Sequence, residues 1–411
     1  MKISREKGKR IKTWGMAGDP RSQHEASYEY PVMYHWLGTP AQTKHPYNLY
    51  GDITSQPDAI RDTIKSIEKP VKEVAKELVD RGINRIVGTG LGTSQFVSQA
   101  AAGAFWKYAG IDSSDVDGLE YFLNPRPYDY SKICFAVLSG SGSTTDSNRA
   151  GRLAKEKGAF TLAITSVDGS PVTQFCDAKI VCAGGFDTGG SDTFHYTTRT
   201  LALIMLAFEI GRLRQPDAHD YDALMQKIFE LPDAFADMFT RVDARCQSIA
   251  RQYYSMRSAI IVGNGSNYGA AEEFALKYDE MAHLPAKAMV IDRHIHGALG
   301  LTDKDIITFL IAPKSDTGYK ELKDIADYCN TVKSVCIAIV SDDDDDISNM
   351  VDDVVRLPMD IPELFPLLAI LPSQLIPYWS SVLSGLNPDT QRSNVPRYGR
   401  AWAKLFPPGT H

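Results

Sequence analysis

Arg85-Ile-Val-Gly-Thr-Gly90 and Ile260-Ile-Val-Gly-Asn-Gly265 carry one message twice: a short, β-rich apolar run closed by G-x-G. Gly88 and Gly263 stand 175 residues apart, and a shift of similar size relates three further pairs. Ile133-Cys-Phe-Ala-Val-Leu-Ser139 meets Ile306-Ile-Thr-Phe-Leu-Ile, Thr161-Leu-Ala-Ile-Thr-Ser166 meets Cys336-Ile-Ala-Ile-Val-Ser341, and Ile180-Val-Cys182 meets Val355-Arg-Leu357. Self-similarity at a fixed spacing identifies an internal repeat, which governs every later assignment. The runs are continuously apolar, and helical patterns such as Ser147 to Lys157 and Tyr319 to Cys329 lie between them. Strands of that kind are buried on both faces, as in a parallel sheet with right-handed crossover helices. The expected fold is α/β: two doubly wound, three-layer α/β/α domains with central parallel sheets, related by the repeat. Boundaries are placed at an N-terminal arm 1–54, a first domain 55–234, a second domain 235–386 and a tail 387–411. Gln215-Pro216-Asp217 and Leu231-Pro232-Asp233 are taken as punctuation between the domains.

Composition narrows the function. The chain has 411 residues, 43% hydrophobic and 23% charged, which excludes disorder and collagen-like structure. Its longest apolar stretches, such as Leu201 to Phe208, are far too short to cross a bilayer, so no membrane partner is expected. A formal net charge of −7 argues against nucleic acid, and the basic arm Lys2 to Lys12 is read as solvated or as a subunit contact. No apolar block follows that arm, so it is not read as a secretory signal. Cys134, Cys176, Cys182, Cys246, Cys329 and Cys336 include no C-x-x-C pair, consistent with reduced thiols and a cytoplasmic protein. The same spacings disfavour a zinc site, although His294-x-His296 could supply two ligands. Asp342 to Asp346 lacks the interleaved ligands of a Ca²⁺ loop and is read as a solvated loop.

Ligands of open α/β sheets collect at the carboxyl ends of the strands. In the first copy those ends carry Gly88-Thr-Gly-Leu-Gly-Thr-Ser94 and Ser139-Gly-Ser-Gly-Ser-Thr-Thr-Asp146. Each opens a helix, where free N–H groups and the helix dipole favour an anion. The hydroxyls of Ser139, Ser141, Ser143, Thr144 and Thr145 exceed what capping requires, so the second loop is read as a phosphate cradle. The glycine loop alone is better explained by tight turns, and it has neither P-loop nor dinucleotide spacing. In the second copy, Glu273, Lys277 and Glu280 share one helical face beside Phe274, Tyr278 and Met281. A carboxylate beside an ammonium suits proton transfer at a sugar carbon, although Glu followed four residues later by Lys is also a common exposed pair. His296, in Arg293-His-Ile-His-Gly297, suits the proton movement that opens a hemiacetal ring.

These residues form a pattern. Asp52-Ile-x-x-Gln56-Pro57, Gly92-Thr-Ser94, Ser139-x-Ser141-Gly142-x-Thr144, Leu153-Ala-Lys155 with Gly158-Ala159, Thr197-Thr198, and Glu273-x-Ala275-Leu-Lys277-x-x-Glu280 with His296-Gly297 extend over roughly Asp52 to Arg400. The chain resembles the SIS (sugar isomerase) family, in the two-domain arrangement of the isomerase half of glutamine-dependent glucosamine-6-phosphate synthase and of fructosamine-6-phosphate deglycases. The resemblance implies that Thr93, Ser94, Ser139, Ser141 and Thr144 hold the substrate phosphate, with Gly92, Asp192 and Arg397 as further substrate contacts. It implies that Glu280 shuttles a proton between C1 and C2, that Lys277 assists, and that His296 opens the ring across a subunit boundary. A homodimer with a composite active site, a phosphorylated sugar or amino sugar as substrate, and no metal or organic cofactor follow from the same source.

The departures shape the expected substrate. The chain opens Met1-Lys2 without the synthase's amidotransferase domain, so glutamine-fed synthesis is not expected. Gly140 stands where the synthase has Gln, Ala298 follows Gly297 where Pro is usual, and Asp192 replaces a sugar-contacting Ser. Arg397 and Arg400 fall near the synthase's essential lysine, and a guanidinium would act there as a clamp, not as an amine base. The expectation is a fructosamine 6-phosphate deglycase working through an enaminol. Aldose/ketose isomerisation is the close rival, and a non-catalytic sugar-phosphate sensor is the rival of another class.

Overall fold

The computed structural model describes residues 42–405. The first half runs α1 (Asn48–Thr54), α2 (Gln56–Asp80), β1 (Arg85–Gly90), α3 (Thr93–Ala104), β2 (Asp112–Asp117), α4 (Gly118–Leu123), β3 (Ile133–Leu138), α5 (Thr145–Glu156), β4 (Phe160–Thr165), α6 (Pro171–Phe175), β5 (Ala178–Val181) and α7 (Phe194–Arg214). Then α8 (Tyr221–Tyr253) leads into β6 (Ser258–Val262), α9 (Ser266–Lys277), β7 (Ala286–Met289), α10 (Ile291–Arg293), β8 (Ile306–Ala312), α11 (Tyr319–Val332), β9 (Cys336–Ser341), β10 (Asp353–Leu357), α12 (Phe365–Leu383) and α13 (Pro396–Leu405). Each half forms a five-stranded parallel sheet, ordered β2-β1-β3-β4-β5 and β10-β9-β8-β6-β7. These are one order written from opposite ends, and helices flank both sheets.

Central strands β3, β4, β8 and β9 are buried along their whole length, as continuous apolar runs require. The edge strands β2 (Asp-Ser-Ser-Asp-Val-Asp) and β7 (Ala-Lys-Ala-Met) carry no such run and were invisible to that criterion. The apolar stretch Leu201–Phe208 lies in α7, which is buried on every side over most of its length, as is α12. Among the described residues no helix is long and apolar enough to cross a membrane. None of the six cysteines is bridged.

Several sequence expectations are corrected. The register of the repeat is displaced by two residues: Gly92 and Gly265, not Gly90 and Gly265, are equivalent, since both N-cap the helix after the first strand at φ 53, ψ −125 and φ 51, ψ −125. Three glycines at alternate positions in the first copy had allowed either alignment. The boundary placed at 234/235 falls inside α8, where Pro232 is an internal helix residue instead of punctuation. The arm 1–54 is helical at its end: α1 packs inward, and Asp52 accepts hydrogen bonds from the backbone N–H groups of Thr188 and Gly189, both at 2.7 Å. Residues 1–41, with the basic segment Lys2 to Lys12, lie outside the described residues. The acidic loop is not wholly solvated, because Asp344 is buried and accepts from Ser348 N and Oγ at 2.9 Å each.

Candidate active site

The hydroxyl loop after β3 is a preformed cup. Ser139 Oγ lies 2.9 Å from Thr144 Oγ1 and accepts from Gly142 N at 3.0 Å, while Ser141 and Ser143 pair at 2.8 Å. Thr144 is the N-cap of α5, so the cup opens at the positive end of a helix. Gly142 is required: its φ is +70, and a Cβ there would lie 2.0 Å from Ser170 Oγ. A Cβ on Gly140 would come within 3.1 Å of His195 Nδ1, so the cup rests on that imidazole.

The halves meet where α3 crosses α9. Gly269 makes this possible, because a Cβ there would lie 2.4 Å from Ala100 N and 2.7 Å from Phe96 O. The crossing carries Thr93 to the charged row on α9: its hydroxyl donates to Glu273 Oε1 at 3.1 Å and accepts from Lys277 Nζ at 3.3 Å. Lys277 lies 3.1 Å from Glu273 and 2.8 Å from Glu280. The row is therefore not an exposed surface pair. Lys277 and Glu273 are fully buried, and Glu280, 23% exposed, is the member open to a ligand. Burial pushes Glu273 up to about 7, with Lys277 pulling the other way and Glu280 adding to the rise. Burial also works against the Lys277 ammonium, but Glu273, Glu280 and Asp192 outweigh it and hold it above the ordinary lysine range.

Between cup and row lies a charged network that the sequence reading missed. Arg199, fully buried on α7, donates to Ser94 Oγ through Nη1, to the His195 carbonyl at 2.8 Å, and to Asp192 at 3.1 Å. His195 Nδ1 is 2.8 Å from Asp187 and 3.4 Å from Asp192, and its Nε2 lies 2.8 Å from the Gly185 carbonyl. Burial disfavours the imidazolium, yet Asp187 and then Asp192 raise His195 to about 10. Burial likewise disfavours the Asp192 charge, but His195, Arg199 and Lys277 hold its carboxyl well below the usual carboxylate range. Asp187, Asp192 and His195 bring ligand atoms within 4.8 Å of one another. Arg199 and the His195 proton already neutralise both carboxylates, so the trio does not suit a metal ion. The one sequence signal was Arg199 itself, a charge leading directly into Leu201–Phe208.

The expected site residues divide accordingly. Ser139, Ser141 and Thr144 form the cup, Ser94 accepts from Arg199, and Gly92 caps α3 with Leu276 against it. Thr93 is tied to the acid–base row instead of to the cup. Asp192 stands between them. His296 is exposed on a π-turn, His294–Ala298, and no described contact brings it to Glu280. Arg397 is exposed and stacks on Tyr398 at 4.7 Å, and no described contact brings it to Glu280. The tail approaches through Arg392 instead, whose Nε donates to His283 Nδ1 at 2.9 Å beside a cleft lined by Asp279, Glu280, His283, Pro285, Gln391 and Arg392.

The SIS domain profile matches residues 81–210 and 252–384. The chain belongs to the SIS family. This SIS protein is 31% identical over 279 residues to a glutamine–fructose-6-phosphate aminotransferase (isomerizing) of Chlorobaculum tepidum, covering 68% of this chain and 45% of that one. It thus spans less than half the length of that curated relative. Its fold matches the C-terminal domain of glucosamine-fructose-6-phosphate aminotransferase from Francisella tularensis at a TM-score of 0.76 and 22% identity, covering 84% of this chain and 98% of that one. Tagatose-6-phosphate ketose/aldose isomerase from Escherichia coli matches at 0.72 and 21%, covering 86% and 97%. Two SIS domains in one chain, each a five-stranded parallel sheet between helices, are the shared architecture.

Proposed function

We propose that this SIS protein is a phosphosugar enzyme that moves a proton between adjacent carbons of an open-chain hexose 6-phosphate, and specifically a fructosamine 6-phosphate deglycase. The observation that carries the reading is the buried Glu273–Lys277–Glu280 row tied by Thr93 to the start of α3, in the half that carries the hydroxyl cup. The cup and the N-terminus of α5 suit the phosphate; His195 beside Gly140 pairs with Asp192, whose charge reaches the Lys277 ammonium that holds Glu280. Glu280 takes the C1 proton, which the adjacent carbonyl or iminium acidifies, and an enaminol forms. Return of the proton to C2 gives an imine, which water cleaves to free the amine. Lys277 fixes the Glu280 carboxylate and neutralises the charge that passes through it.

Asp192 supports the finer reading. It is held ionised, and 38% of its side chain is exposed, so it offers an acceptor for the protonated amine of an amino sugar. In this reading the protein works as a homodimer, and His296, exposed at the surface, opens the sugar ring in the site of a second copy. The protein would act in the cytoplasm.

The test is exchange of substrate carbon-bound hydrogen with solvent deuterium, followed by NMR with a fructosamine 6-phosphate. Exchange with amine release is expected from the wild type, and loss of both with retained binding from Glu280→Gln. Exchange on plain fructose 6-phosphate without amine release from the fructosamine would make the protein an isomerase. Binding without exchange on either compound would make it a sensor.

A further inference from the structure

The repeat gives the second half a pocket of its own, pseudo-symmetric to the first, and its chemistry is inverted. Ser266 and Asn267 open α9 as Thr93 and Ser94 open α3. Gly318 caps α11 as Thr144 caps α5. Glu363 stands two residues before α12, as Asp192 stands two before α7. Lys107 is the third residue of the π-turn Phe105–Ala109, the place that Glu280 holds in Tyr278–Ala282. A cleft of about 470 Å³ lies there, lined among others by Lys107, Asn264, Ser266, Asp316, Thr317 and Glu363. Where the first pocket takes the carboxylate of Glu280 from the second half, the second pocket takes Lys107 from the first half, paired with Glu363 at 3.1 Å.

The anion position is also taken. Asp316, 6% exposed, accepts from Asn264 Nδ2 at 2.7 Å, from Gly318 N at 2.8 Å and from Asn267 Nδ2 at 3.0 Å. Its carboxylate therefore bridges the equivalents of Ser94 and Thr144, two residues assigned above to the phosphate. Ser266 Oγ, the equivalent of Thr93, is buried against the same cleft with no partner among the described residues. The donors of an anion cradle persist, and a side chain of the protein satisfies them.

We propose that Asp316 is a built-in anion that occupies, in the second repeat, the position a sugar phosphate takes in the first, so that each chain binds one phosphosugar and the second cleft rejects anions. This rests on the phosphate reading of the first repeat. Shortening the side chain vacates this position, where the first repeat carries Gly142 two residues before its N-cap, and turns the second cleft into an anion site.

The experiment is calorimetric titration with fructose 6-phosphate, counting sites per chain. One site is expected for the wild type and two for Asp316→Ser, with the added site surviving in the background Ser141→Ala/Thr144→Ala. Asp316→Ala, which vacates the position, is the second variant should Asp316→Ser fail to fold, and it too should gain a site. Two sites in the wild type overturn the proposal, as does a single site in both Asp316 variants with unchanged melting curves. If Ser141→Ala/Thr144→Ala leaves the wild-type site intact while Asp316→Ser still adds one, the first-repeat assignment fails and the role of Asp316 stands.

Discussion

Lys277→Met removes the one cation between two carboxylates and tests the acid–base row directly. Lys277 Nζ lies 3.1 Å from Glu273 and 2.8 Å from Glu280, with Lys277 and Glu273 both fully buried. Deleting one partner of such a pair costs about 3–5 kcal/mol, because a buried charge is left uncompensated. Protonation limits the damage. Glu273 already sits at about 7, and loss of the ammonium raises it further, so that it is protonated at neutral pH; protonating a carboxyl whose ordinary value is 4.5 costs about 3 kcal/mol at pH 7. That falls within the same range. The sign follows from linkage: a carboxyl whose folded pKa lies above its unfolded value binds more protons when folded, so the variant regains stability as pH falls from 7 toward 5. Adding Glu273→Gln removes the stranded charge and should recover about 2 kcal/mol, a coupling within the range for contacting residues. Urea unfolding of the wild type, both single variants and the double variant at the two pH values measures every term. A Lys277→Met variant within about 1 kcal/mol of wild type at pH 7, or a deficit that grows on acidification, refutes the buried-row argument.

Gly142→Ala should cost about 2–5 kcal/mol, from a left-handed φ of +70 and a Cβ 2.0 Å from Ser170 Oγ, which is itself held by the Val167 carbonyl; thermal unfolding checks this. His195, raised to about 10, contributes stability that is complete below its unfolded value near 6.5 and is lost as pH rises through about 10. His195→Gln should therefore flatten the alkaline decline, by up to about 1.4 kcal/mol per pH unit in that window, when unfolding midpoints are compared between neutral and alkaline pH. Arg392→Ala removes a cation from the cleft that Glu280 lines, and kcat/KM for the phosphosugar should fall roughly tenfold or more, the value of one charge-assisted hydrogen bond; an unchanged value would remove the tail from the site.

The fold was legible because buried parallel strands leave continuous apolar runs and a repeat writes them twice. What escaped were elements without that signature. β2 and β7 are edge strands with polar faces, and Pro232 sits in a helix long enough to absorb it. For the site, Ser139, Ser141, Thr144, Lys277 and Glu280 could be singled out because hydroxyl density and helical spacing are local properties. Arg199, His195 and Asp187 could not, since their meaning depends on the bend between β5 and α7 that folds them against Ser94 and Gly140. Arg397 was singled out because it falls near the essential lysine of the resembled synthase, and Arg392 was not. The left-handed backbone of Gln391 and Arg392, at φ 44 and 64, turns the nearer guanidinium toward His283.

The 33 residues of α8 span the passage from one sheet to the other as one rod about 50 Å long. Pro232 lies inside that helix, a third of the way along it. The two residues that reach across from the tail, Gln391 and Arg392, complete the wall of the cleft at Glu280, so the segment after α12 helps to shape what that carboxylate can meet.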